Sequence, residues 1–244
     1  MPFAVPMQDD TGLWLTNDNL GIWREQCACW RTVNDVVTTA NWGRLRHAYG
    51  WATDTRGHLA ALESGNAEAR EAALDQFDIA LLRQGFPETA TAPVVRAVTA
   101  LLADRRAHPD RLEALLEFLG DGAMSVTDLA DDRYFAEMLP DLADAVAQAY
   151  PVVLPLLTPS PPDRALFRAE NLVAIARIPS LADRREELAA LVLEWSERGA
   201  GPQAEWLGCL GQLGADLRSW LTDPDRRSGS GPRRPTTTIR AAVS

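Results

Sequence analysis

The strongest constraint on this chain is a succession of short stretches whose apolar residues recur every 3.6 positions, each closed by Gly, Pro or a capping residue. Leu112, Leu115, Leu116 and Leu119 fall at i, i+3, i+4 and i+7, opened by Pro109-Asp110 and closed at Gly120. Ala73, Phe77, Ala80 and Leu81 share one face of a stretch that starts after Ser64-Gly65-Asn66 and breaks at Gly85-Phe86-Pro87. Val94, Val98, Leu101 and Leu102 mark another stretch, and so do Leu188, Leu191, Val192 and Trp195. The period predicts helices over 54–63, 67–84, 91–105, 112–119, 141–157, 163–178, 188–195, 203–213 and 216–221. No segment alternates with period two, and no Asn-Gly hairpin turn occurs, so the predicted fold class is all-α.

A length of 244 residues with 46% hydrophobic content supports one domain or a pair with a sizeable core. Three regions are expected. Residues 1–40 form an arm, either docked with one short helix or poorly ordered; five of the eight Trp lie in the first 51 residues and are expected to cover the open end of the core. Residues 41–225 form the helical domain. Residues 226–244 are rich in Arg, Gly, Ser and Pro, and 226–238 are expected to be disordered.

Charge narrows the function classes. The net charge is −10, and every basic residue is Arg, so a Schiff-base or P-loop lysine is excluded. Residues 1–225 hold 19 Arg against 34 acids, a net charge of −15. Such a body suits a basic protein partner and argues against nucleic acid, which needs a basic footprint. Three Cys are too few for a disulfide framework, and Cys27 and Cys29 are too close for a zinc knuckle. The first ten residues lack the basic and apolar runs of a signal peptide. The most apolar window, 150–157, is too short to span a bilayer. A cytoplasmic protein without membrane contact is expected.

Short helices joined by tight turns point to an α-solenoid of antiparallel pairs. A recurrent mark supports this: an apolar or small residue, Arg, then small residues, in Ala69-Arg70-Glu71-Ala72-Ala73, Phe167-Arg168-Ala169 and Ile239-Arg240-Ala241-Ala242. The small residues suit close contact inside an array, and the Arg can reach an acid of a neighbouring turn. With Trp42-Gly43-Arg44-Leu45-Arg46-His47-Ala48-Tyr49-Gly50, Gln84-Gly85, Leu210-Gly211-Gln212-Leu213-Gly214 and Trp220-Leu221-Thr222-Asp223-Pro224-Asp225, the stretch 41–225 resembles bacterial HEAT-repeat proteins of the type found in actinobacteria. The resemblance implies a curved stack of helix pairs that offers a surface to other proteins, with an incomplete last repeat. It also implies an alternative, an enzyme on a HEAT-like scaffold, similar to DNA-base glycosylases or bilin lyases.

Candidate residues are few. His47, Asp54 and His58 could form a metal site, but they lack His-x-x-x-His or Glu-x-x-His spacing. Residues 121–144 carry seven acids against Arg133 and no Asp-x-Asp-x-Asp-Gly loop; a solvated, mobile loop is expected, or a patch for a basic partner. No Ser lies in a Gly-x-Ser-x-Gly elbow, and Cys209 reads as core. The expected function is a non-catalytic protein-interaction scaffold, an inhibitor or immunity-type binder among the forms this takes, with no cofactor, metal or catalytic group. Expected contact residues are Trp42, Arg46, His47 and Tyr49 in the first repeat and Asp128, Asp131 and Asp132 in the acidic stretch.

Overall fold

The computed structural model describes residues 33–158 and 160–215. Among them the fold is all-α apart from one small hairpin. In chain order the elements are α1 (Val33–Thr39), β1 (Arg46–His47), β2 (Gly50–Trp51), α2 (Thr55–Ser64), α3 (Ala67–Leu81), α4 (Thr91–Ala103), α5 (Leu112–Asp128), α6 (Leu139–Leu157), α7 (Ala165–Ala176), α8 (Arg185–Ser196) and α9 (Gln203–Gln212). The expected helix over 216–221, the tail and its incomplete repeat, Cys27, Cys29, and Trp14, Trp23 and Trp30 lie outside the described residues. No described helix is long and apolar enough to cross a membrane.

Packing follows chain order. Helix α2 lies against α3, α5 against α6, and α7 against both α6 and α8. Next-but-one contacts join α2 to α4, α4 to α6, α3 to α5, α5 to α7 and α7 to α9. Helix α4 is the centre: ten of its residues are buried, Val94, Val95, Val98 and Leu101 completely. A helix apolar all round must be surrounded, and α1, α2, α5 and α6 surround this one. The predicted stripes face inward at Ala73, Phe77, Ala80 and Leu81, at Leu115, Leu116 and Leu119, and at Leu188, Val192 and Trp195. Leu112 and Leu191 are only half-buried, at the edges of their stripes.

Local chemistry sets the helix ends. The Asn66 side chain accepts the Ala69 N–H at 2.8 Å and caps α3. Gly65 closes α2 for want of space, since a Cβ there would press on the Ala61 carbonyl.

Three expectations need correction. Gly120 does not end α5. It is buried where α5 meets α7, and a Cβ there would collide with the Asn171 side chain, so it is a contact glycine inside a helix that continues to Asp128. Consequently the acidic stretch is no extended loop: α5 and α6 take its two ends, and the ten residues between form backbone-bonded turns anchored by buried Phe135. Finally, 41–54 is not helical. Two-residue strands pair antiparallel, Arg46 opposite Trp51 and His47 opposite Gly50, with Gly50 at φ +143°. Tertiary hydrogen bonds fix this hairpin: Ala48 N–H to the Ala80 carbonyl at 2.8 Å, Ala90 N–H to the Arg46 carbonyl at 3.0 Å, and Arg46 N–H to Thr89 Oγ1 at 2.7 Å.

Candidate functional site: an arginine–aromatic face

The hairpin register determines what it shows to solvent. Period-two alternation turns Arg46 and Trp51 outward and His47 inward. The Arg46 guanidinium lies over the Trp51 ring, 5.4 Å from its centroid, a cross-strand cation–π pair. Tyr49, at the hairpin tip, extends the surface, and the Arg83 guanidinium lies 5.7 Å from the centre of its ring.

Arg83 opens a turn that reverses the chain after α3. Gln84 there has φ 55°, ψ 31°, the left-handed region that a non-glycine residue enters at a cost of about 1–2 kcal/mol. Gly85 follows at φ +80°. The reversal leaves Phe86 half exposed and stacked on Phe135 at 5.7 Å, with planes 15° apart. Tyr134, 84% exposed, meets the edge of Phe135 at 4.9 Å. Three segments distant in sequence meet here: the turn after α3 reaches the hairpin through Arg83 and Tyr49, and the 129–138 turns through Phe86 and Phe135.

Beneath this face His47 is structural. Its Nδ1 accepts the Tyr49 N–H at 3.1 Å, which assigns the ring proton to Nε2. Nε2 donates to Asp54 Oδ1 at 3.1 Å. Both ring nitrogens are engaged within the hairpin and its junction with α2, leaving neither for a ligand or a transferred proton. His58 Nε2 is 3.9 Å from Asp54 Oδ2. Among the described residues no group of three or more His, Cys, Asp or Glu is placed to hold a metal ion.

The expected contact residues therefore divide. Arg46 and Tyr49 are exposed on the face. His47 and Trp42 are buried supports; the Trp42 indole N–H donates to the Val37 carbonyl at 2.8 Å and ties the hairpin to α1. Asp128, Asp131 and Asp132 are exposed, and Asp132 Oδ1 accepts the Tyr134 N–H at 2.8 Å, so that carboxylate shapes the turn carrying Tyr134. Sequence reasoning missed Trp51, Arg83, Phe86 and Tyr134. Aromatics beside arginines was the available signal, but only the folded chain brings the pairs together.

Charge divides as sharply. Among the described residues no carboxylate pairs with Arg46 or Arg83. Five other arginines pair across elements, among them Arg70 with Asp110 at 3.1 Å, Arg96 with Asp141 at 2.5 Å, and Arg168 with Glu113 at 2.6 Å. Away from the face acids crowd. Burial, then the charges of Glu117 and Asp78, push the Asp121 carboxyl up to about 6. Burial and nearby Glu170 push the Cys209 thiol up to about 11, so this thiol stays protonated in the core. The chain matches no protein-family model, no curated protein and no solved structure.

Proposed function

We propose that this protein is a non-catalytic scaffold, a short α-solenoid of HEAT-like helix pairs, which binds another protein through the arginine–aromatic face. The observation that carries the reading is that face: exposed Tyr49, Trp51, Phe86 and Tyr134 with two arginines lying over rings. Tyr, Trp and Arg are the residues that most often dominate interface energetics, each contributing about 2 kcal/mol or more when desolvated. Exposed at this end of the chain's fold, they leave apolar surface in water that a partner would cover. The next-but-one packing of α2 through α7 supports the solenoid, and Arg70 and Arg168, at equivalent places in the repeat mark, each tie their helix to an acid of another element, Arg70 to the later Asp110 and Arg168 to the earlier Glu113.

A basic partner remains a second reading for a different surface. Asp78, Glu117 and Asp121 crowd on the outer side of α3 and α5, and their repulsion would be relieved by a cationic group.

The test is capture of partners from native cell extract by the whole protein and by a Tyr49→Ser, Trp51→Ser, Phe86→Ser variant. Loss of a saturable partner in the variant, with its helical content intact, is the expected result. A partner held equally by both, or a pigment, nucleotide or metal co-purifying at one per chain, would overturn it.

A further inference from the structure

We infer that the arginine–aromatic face takes an acidic peptide segment of its partner, with carboxylates on Arg46 and Arg83 and apolar side chains against Tyr49, Trp51 and Phe86. This rests on the protein-binding reading above and adds the chemistry of the bound segment.

Positive charge is scarce in this chain. The chain has ten more acids than bases, yet Arg44, Arg56, Arg105 and Arg133 pair with no carboxylate among the described residues, so what sets Arg46 and Arg83 apart from these is the ring beneath each guanidinium. The arginines that bridge elements have found carboxylates: Arg70, Arg96, Arg106, Arg111 and Arg168 each bind one contributed by another segment. Arg46 and Arg83 have not, although Asp54 and Glu88 are near in sequence. Asp54 is directed to His47 and His58 instead. Each of the two guanidinium groups rests over a ring, 5.4 and 5.7 Å from its centroid. Stacking uses the flat face of a guanidinium and leaves its edge, where the N–H donors lie, open to solvent. Those donors match a carboxylate in bidentate geometry, and the ring below restrains the side chain before binding, which lowers the entropy lost.

The rings decide what kind of anion carrier fits. Tyr49, Trp51 and Phe86 are 61%, 58% and 47% exposed, so the bound segment must also supply apolar groups. An extended peptide supplies both, with acidic and apolar side chains in alternation. A single-stranded nucleic acid would likewise offer anions and stacking bases. Its evenly charged backbone, however, would run onto the flank where Asp131 and Asp132 are exposed. A peptide can put its carboxylates only where the two arginines stand.

The experiment uses the full chain and fluorescence anisotropy with four labelled probes: a short peptide alternating Glu with Leu and Phe, its Gln-for-Glu and Lys-for-Glu counterparts, and oligo-dT. Binding of the Glu peptide on the order of tenfold tighter than the Gln peptide is expected, weakening as salt rises. Arg46→Gln with Arg83→Gln should erase the Glu-over-Gln preference, whereas Arg198→Gln, at a distant surface ion pair, should leave it intact. Equal binding of Glu and Gln peptides, preference for the Lys peptide or for oligo-dT, or no binding would each overturn the inference. The captured partner separates this failure from that of the parent reading. A partner lost with Trp51→Ser yet indifferent to the arginine pair sinks the acidic segment alone; a partner indifferent to both sinks the face itself.

Discussion

Two pairs of arginines in this molecule have opposite surroundings. Arg70 and Arg168 are buried, and each is tied to a backbone carbonyl and a carboxylate: Arg70 to Gly65 and Asp110, Arg168 to Leu157 and Glu113. Arg46 and Arg83 are exposed and rest on aromatic rings with no described carboxylate paired to them. The first pair directs its donors into the chain, all but the buried Arg70 Nε finding an acceptor there, so its work is holding helices together. The second keeps donors at the surface, where they cost little to maintain in water and become useful only when something arrives. In a chain this acidic, the location of unspent positive charge is more informative than the net charge.

Breaking the first pair should have the largest effect. Arg168→Met removes the partner of Glu113, whose Oε2 is already buried without a hydrogen bond. A buried carboxylate left alone costs about 3–5 kcal/mol; partial exposure of Glu113 places the loss at about 3 kcal/mol, read as a lower urea midpoint at unchanged slope. Adding Glu113→Gln should restore part of it, because the charge requiring compensation is gone. An undiminished midpoint in Arg168→Met would make the buried pair no more structural than the surface one. Next comes the contact that lets α5 and α7 approach. Gly120→Ala should cost about 1–3 kcal/mol by pressing on Asn171, and Asn171→Ala in the same chain should relieve it.

The helices were legible because their burial is periodic, and period is a property of the sequence. Leu115, Leu116 and Leu119 announce a buried stripe before any fold is known. Gly120 was misread because the same residue ends helices and permits close helix contacts; only the presence of Asn171 decides between them. The hairpin was illegible for a different reason. Strands of two residues are too short for their alternation to stand out in the sequence, and the hairpin's hydrogen bonds to Ala80, Thr89 and Ala90 come from distant sequence. The face inherits that illegibility. Arg46 and Tyr49 drew attention as local chemistry, while Arg83 and Phe86 become relevant only after the chain reverses through Gln84.

The acidic side of the comparison gives a prediction about pH. Asp121 has its carboxyl raised by burial and by Glu117 and Asp78, from 3.8 to about 6. The folded state therefore holds this proton more tightly than the unfolded chain does. Stability contributed by that proton is complete below about pH 4 and is lost as pH rises toward 6. The full shift corresponds to about 3 kcal/mol, and solvent screening at a partly exposed site reduces it to about 1–2 kcal/mol. Asp121→Asn should recover that amount at neutral pH and flatten the pH dependence of the unfolding midpoint between 4 and 6. An unchanged profile would mean that the crowding of acids there carries no energetic cost.

The smallest expected effect on stability is the most discriminating. Arg46→Gln with Arg83→Gln removes two charges from the surface but strands no buried acid, because neither arginine has a described carboxylate partner. What is lost is two exposed cation–π contacts, each about 0.5–1 kcal/mol at most, partly replaced by the amide lying on the same ring. Stability should consequently fall by about 1 kcal/mol or less, roughly a third of the effect at the buried ion pair. A loss approaching that of Arg168→Met would show that the hairpin depends on these arginines for its fold, and their open donors would then be incidental. A neutral result, alongside a large effect on peptide preference, leaves binding as the property those two side chains serve.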